Sequence, residues 1–318
     1  MRIFGIKAAM AVATFAVMAP AIAAAAPPDV WGSAVYLTSR NCNGIASGAD
    51  CLGAANPNIH IVQDQFDGGA GVASHAAMAV TTGGLDRASV TWGALDLPVI
   101  KASVTTGADN RNNTNSYGYQ SFVYTGAAAT PFALTSTLDF TSSAAPVMAG
   151  LAQTDPPLEV GGEGYAFVRF GLMDPGVVTG LVTAQDIFNY GFGADCGSAG
   201  VLGVAQYRYA TAGGGAGGGS LTLDTACGGG ALTLTPGEEF LVFLLEQTPA
   251  NRGGFVDASH TLRLALADSL TDEQQATIRA GLVSARDSVP EPQAWALLIL
   301  GFAGVGASLR RRRAVLAA

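Results

Sequence analysis

Chemistry in this 318-residue chain would have to come from few residue types, because it holds only three histidines and four cysteines. His60, His75 and His260 each fall inside a strand-like run, and none stands in a metal-ligand spacing such as His-Glu-x-x-His. They read as strand residues on a polar face, with no part in catalysis. A serine hydrolase elbow needs Gly-x-Ser-x-Gly. The nearest approach is Cys196-Gly197-Ser198-Ala199-Gly200, where cysteine replaces the first glycine. Carboxylates are plentiful, but a glycosidase needs two that face each other. Glu238 and Glu239 are adjacent at the entry to a strand, so their side chains point to opposite faces. Residues 64–71 (DQFDGGAG) and Asp174-Pro175-Gly176 offer oxygens of the kind calcium takes, yet neither completes a twelve-residue loop or a repeated Gly-Gly-x-Gly-x-Asp pattern. Both read as solvated turns. The glycine run at 213–219 lacks the Gly-Lys-Ser/Thr ending of a phosphate loop and reads as a flexible hairpin loop. No catalytic residue, metal or cofactor is assigned.

The elements that would position these residues are short β-rich runs separated by Gly, Asn, Asp and Pro. Strands are expected over 34–38, 59–63, 72–80, 88–92, 99–105, 119–125, 132–140, 165–172, 204–210, 221–223, 232–235, 240–246 and 259–266. The 42 glycines leave little room for long helices. The fold class is therefore all-β, a β-sandwich or jelly roll with one short C-terminal helix. Ala88-Ser89-Val90-Thr91 recurs as Ala102-Ser103-Val104-Thr105, which fits two similar strands of one meander. The helix is expected over 271–284, with Thr271 as cap, Gln274 closing a capping box, Asp272 and Glu273 at the dipole's positive end, and Ile278 and Leu282 as an apolar pair. The one candidate internal break is Asp155-Pro156-Pro157, and the body reads as one domain.

Both ends carry addresses. Two positive side chains, an apolar run and an Ala-x-Ala pattern make residues 1–23 a secretory signal peptide, with cleavage by signal peptidase after Ala23 and passage through the export machinery. Export suits the cysteines: Cys42 with Cys51 and Cys196 with Cys227 are the expected disulfides, paired by sequence proximity. At the other end, residues 294–309 are free of charge and would cover roughly 24 Å as a helix, enough for a single transmembrane helix once flanking arginines snorkel. Arg310, Arg311, Arg312 and Arg313 follow and keep that end cytoplasmic. The body left between the ends, 24–288, has ten basic residues against 23 acidic ones, and Lys101 is its only lysine. Such a body argues against nucleic acid or an anionic membrane surface as a partner.

Val289-Pro290-Glu291-Pro292, then Trp295-Ala296, the apolar run with Gly301-Phe302 and the arginine cluster occur in that order over 289–318. In this the segment resembles the PEP-CTERM sorting signal in its PEPxxWA form. The resemblance implies recognition and cutting by an exosortase at Pro290, Glu291 and Pro292, with Trp295 and Ala296 completing the motif. It also implies transient anchoring in the inner membrane of a Gram-negative host that makes exopolysaccharide. Two prolines around Glu291 hold the segment extended, as a protease groove requires. The function expected is that of a non-catalytic exported protein of the cell surface or extracellular matrix, biofilm-associated and glycan-binding. The alternatives are an exported hydrolase acting on polysaccharide and a structural matrix subunit.

Overall fold

The computed structural model describes residues 31–41, 59–68, 75–81, 84–107, 110–143, 164–178, 190–209, 214–251 and 253–285. Among the described residues, fifteen strands and one helix described over its full length are assigned: β1 (Trp31–Asn41), β2 (Ile59–Gly68), β3 (His75–Thr81), β4 (Gly84–Trp92), β5 (Pro98–Thr105), β6 (Asn110–Tyr124), β7 (Thr130–Pro131), β8 (Leu134–Ser142), β9 (Ala166–Met173), β10 (Val201–Tyr209), β11 (Gly215–Leu223), β12 (Thr233–Leu234), β13 (Glu239–Asn251), β14 (Phe255–Leu266), α1 (Asp272–Gly281) and β15 (Leu282–Ser284). Among the described residues the chain is all-β apart from α1, a helical stretch at 190–193 and short turns, and each run expected as a strand lies on one.

Two antiparallel sheets stack as a sandwich. One runs β10-β9-β13-β6-β1-β2, with β15 added to β6, and the other runs β11-β8-β14-β5-β4-β3. Strands consecutive in sequence (β2 and β3, β5 and β6, β8 and β9, β10 and β11, β13 and β14) take matching places in the two layers, so the chain crosses between sheets at those connections. The repeated tetrapeptides are neighbours: Ala88 of β4 pairs with Ala102 of β5.

Between the sheets lies one apolar core. Val35, Phe122, Val168, Phe170, Phe240, Val242 and Leu244 project from the first sheet to meet Val90, Ile100, Val104, Leu138, Phe140, Val256 and Leu264 of the second. The first sheet is also covered on its outer face, where Tyr117, Tyr119, Phe167, Met173, Leu241, Phe243 and Leu245 form a second cluster with Tyr190, Phe192 and Ala194. Burial on both faces explains why β13 begins as an unbroken apolar run (FLVFLL) where a half-exposed strand would alternate.

Four sequence expectations need correction. The glycine run is no hairpin loop: Gly215 to Gly219 belong to β11 and pair in unbroken register with Ser142 to Leu138 of β8. Glycine is required there, since a Cβ on Gly218 would lie 2.5 Å from the Leu138 carbonyl oxygen. The acidic residues Asp64 and Asp67 lie within β2, not in a turn. The strand expected over 119–125 starts nine residues earlier, at Asn110, through a run rich in asparagine. Finally, the helix starts as expected, with Thr271 capping and Gln274 closing the box, but it stops at Gly281. Leu282 to Ser284 then pair with Phe122 to Tyr124 of β6. A side chain on Gly281 would meet Tyr124 Cε2 at 2.8 Å, so the close approach that lets the chain leave the helix here depends on glycine.

Candidate functional site

Of the residues singled out from sequence, Cys196 and Cys227 are brought together. They form a disulfide, with Cα atoms 4.9 Å apart. The bond fastens two turns at the start of β10. On one side, Asp195 accepts from Ser198 Oγ (2.9 Å) and the Gly197 N–H (2.8 Å), and these bonds hold its carboxyl below the usual carboxylate range. On the other, the Cys227 N–H donates to the Leu202 carbonyl (2.8 Å) and the Ala226 N–H to the Gly230 carbonyl (3.1 Å). Ser198 thus belongs to a tight turn entering a strand and is held by Asp195. Cys42, Cys51, Pro290, Glu291, Pro292, Trp295, Ala296 and Arg310 to Arg313 lie outside the described residues. No helix among the described residues is long and apolar enough to cross a membrane, and the span expected over 294–309 lies outside them.

The remaining sequence candidates are placed apart. His60, His75 and His260 belong to β2, β3 and β14, as expected. Glu238 Oε2 accepts from the Thr235 N–H (2.7 Å) and Thr235 Oγ1 (2.8 Å), closing the turn before β13, while Glu239 is exposed at the strand's first position. Asp174 Oδ1 accepts from the Gly176 N–H (2.7 Å) at a 3-10 turn. Among the described residues no group of three or more His, Cys, Asp or Glu is placed to hold a metal ion.

Beside the disulfide a cleft of about 350 Å³ opens between the ends of β9 and β10 and the chain around β12. Leu172, Val201, Leu232, Leu234 and Cys227 line it, and Glu238 is the one charged residue among its described lining. Its size is at the lower end for small-molecule sites, and its aliphatic walls suit an apolar group.

The outer face of the first sheet holds a polar and aromatic arrangement. Arg169 of β9 is 7 % exposed. Its Nη1 donates to the carbonyls of Gly191 and Phe192, and its Nη2 to Gln206 Oε1 of β10. The Phe167 and Phe192 rings each lie 5.7 Å from the guanidinium carbon. Burial lowers its pKa to about 10, against the opposing pull of Asp195, so it stays charged at neutral pH. Nearby, Arg208 stacks on Tyr165 at 5.0 Å. Tyr117 stacks on Phe243 at 5.9 Å, and burial followed by the proximity of Tyr119 and Tyr190 raises its hydroxyl pKa well above the ordinary tyrosine value. This arrangement clamps residues 190–200 onto the sheet.

Sequence reading missed the buried charged groups Asp86, Arg169, Arg208 and Glu246. Glu246 had a visible signal, because it keeps the parity of Phe240, Val242 and Leu244 in a strand whose apolar run marks it as central. Comparison of the chain with protein-family models, with curated proteins and with solved structures finds no match to any of them.

Proposed function

We propose that this chain is an exported β-sandwich protein, of jelly-roll kind, sorted through a PEP-CTERM signal over 289–318 and cut there by an exosortase. The body over 24–288 follows a signal peptide at 1–23, passes through a membrane-anchored stage held by the helix over 294–309 and Arg310 to Arg313, and ends at the cell surface or in the extracellular matrix. There it acts without catalysis, binding exopolysaccharide or another matrix component.

One observation carries this reading: Pro290-Glu291-Pro292, Trp295-Ala296, an uncharged run and four arginines stand in one order within thirty residues. Each part has a physical task, respectively an extended peptide for a protease groove, an interfacial aromatic, a span, and a cytoplasmic stop. The Cys196–Cys227 disulfide supports an oxidising destination, and the acidic body supports solubility there. Replacing Pro290, Glu291 and Pro292 together with alanine in the native host tests the reading. The variant is expected to accumulate as an unprocessed membrane form, and its normal release defeats the sorting assignment.

A further inference from the structure

Glu246 lies inside the sandwich with no exposed surface, and among the described residues neither carboxylate oxygen has a hydrogen-bond partner. Its neighbours within the sheet are Ser116 of β6 and Val168 of β9. Its counterpart across the layer follows from two fixed points between β6 and β5. At one, a Cβ on Gly118 would lie 2.8 Å from Pro98 Cβ; at the other, Asn112 Nδ2 donates to the Thr105 carbonyl at 2.8 Å. Ser116, and Glu246 beside it, therefore lie level with Ile100 to Ala102 of β5. There β14 departs from its ladder: Ala258 pairs with Ala102 and Leu262 with Ile100, so β14 carries two more residues than β5 over that interval. The acid lies opposite a bulge, where the covering sheet has slack.

Among the described residues, most charged side chains on the packed strands fall on the other face of their sheet. Lys101 of β5, Arg111 of β6, Arg169 of β9, and Asp257 and Arg263 of β14 fall at positions of the outward parity. Asp86 of β4 is buried but accepts from the Thr105 N–H at 2.9 Å. His260 lies within the bulge itself. Close by, Thr114 and Thr248 bond each other, and the Ser116 hydroxyl has no partner among the described residues.

We propose that Glu246 is a pH latch of the sandwich: the closed form holds the neutral acid, and loss of its proton drives water in beneath the β14 bulge and loosens the two sheets there. Burial raises the carboxyl pKa well above the ordinary glutamate value, so the folded state keeps a proton that the unfolded chain releases near ~4.3. Between those two values the unfolded state binds fewer protons, and stability falls as pH rises. Below the lower value the group has no effect.

The test is denaturant unfolding of the full chain from about pH 5 to about pH 9, with Glu246→Gln alongside. Within that range the folded-to-unfolded ratio of the unaltered protein is expected to fall as much as about tenfold per pH unit, and the variant to lack that component. Amide exchange across Ala258 to Leu262 should quicken with pH beyond its intrinsic rise in the unaltered protein alone. Parallel stability profiles for the two proteins overturn the proposal. Should Glu246→Gln fail to fold, infrared difference spectra of the unaltered protein decide: a protonated carboxyl band at neutral pH that vanishes as exchange quickens sustains the latch, and the lack of any protonated carboxyl band at neutral pH overturns it.

Discussion

Arg169 and Glu246 are near neighbours in one sheet and lead opposite lives. Leu245 of β13 pairs with Arg169, and Glu246 pairs with Val168, so strand parity sends the guanidinium to the outer face and the carboxyl to the inner one. A slip of one residue in β13 would bring the two charges to one face and offer a salt bridge. The register instead separates them. Arg169 finds two carbonyls, a glutamine amide and two aromatic rings, and stays charged. Glu246 finds no hydrogen-bond partner among the described residues, and burial favours its neutral form. What decides the state of a buried ionisable group is the supply of partners on its own face, and proximity through the sheet counts for little.

If the outer face is a clamp, its fasteners should rank by what each one holds. The largest loss is expected from replacing Cys196 and Cys227 together by serine, since releasing a 31-residue separation costs about 3 to 4 kcal/mol in urea or guanidinium unfolding. Next comes Arg169→Ala, which leaves the Gly191 and Phe192 carbonyls and Gln206 without their donor; a loss of about 2 to 3 kcal/mol is expected. Arg169→Lys should recover less than half, because an ammonium lacks the planar fork. A smaller cost, about 1 kcal/mol, should follow Gln206→Ala, which removes a single acceptor. Smallest of all is Tyr117→Phe: the buried hydroxyl has no partner among the described residues, so its removal should be neutral within about 0.5 kcal/mol or stabilising. A loss above about 2 kcal/mol in that variant would show that the outer face uses the hydroxyl and would blur the contrast with Glu246.

Periodicity made much of the fold legible, because alternating runs mark half-buried strands and Thr271-x-x-Gln274 marks a helix start. It failed where side chains satisfy one another at long range. The first half of β6 (NRNNTNS) reads as loop from composition, yet it is strand because Ser39 Oγ donates to Asn112 Oδ1 (2.8 Å), Asn112 Nδ2 to the Thr105 carbonyl, and Gln247 Nε2 to Asn115 Oδ1 (3.1 Å). The glycine run failed for a related reason, since β8 supplies the ladder that makes it a strand. Pairing the nearer cysteines was enough for the Cys196–Cys227 bond because a thiol pairs only with another thiol, whereas an arginine accepts many partners and nothing in residue type marks Gly191, Phe192 and Gln206 as those of Arg169.

The sorting account meets its most direct test in the mass of the mature protein recovered from its native host. Cleavage at the Pro290-Glu291-Pro292 motif predicts a chain that has lost Trp295, the apolar run and the four arginines while keeping the disulfide between Cys196 and Cys227. Finding Arg310 to Arg313 still attached to the protein in its final location would contradict it.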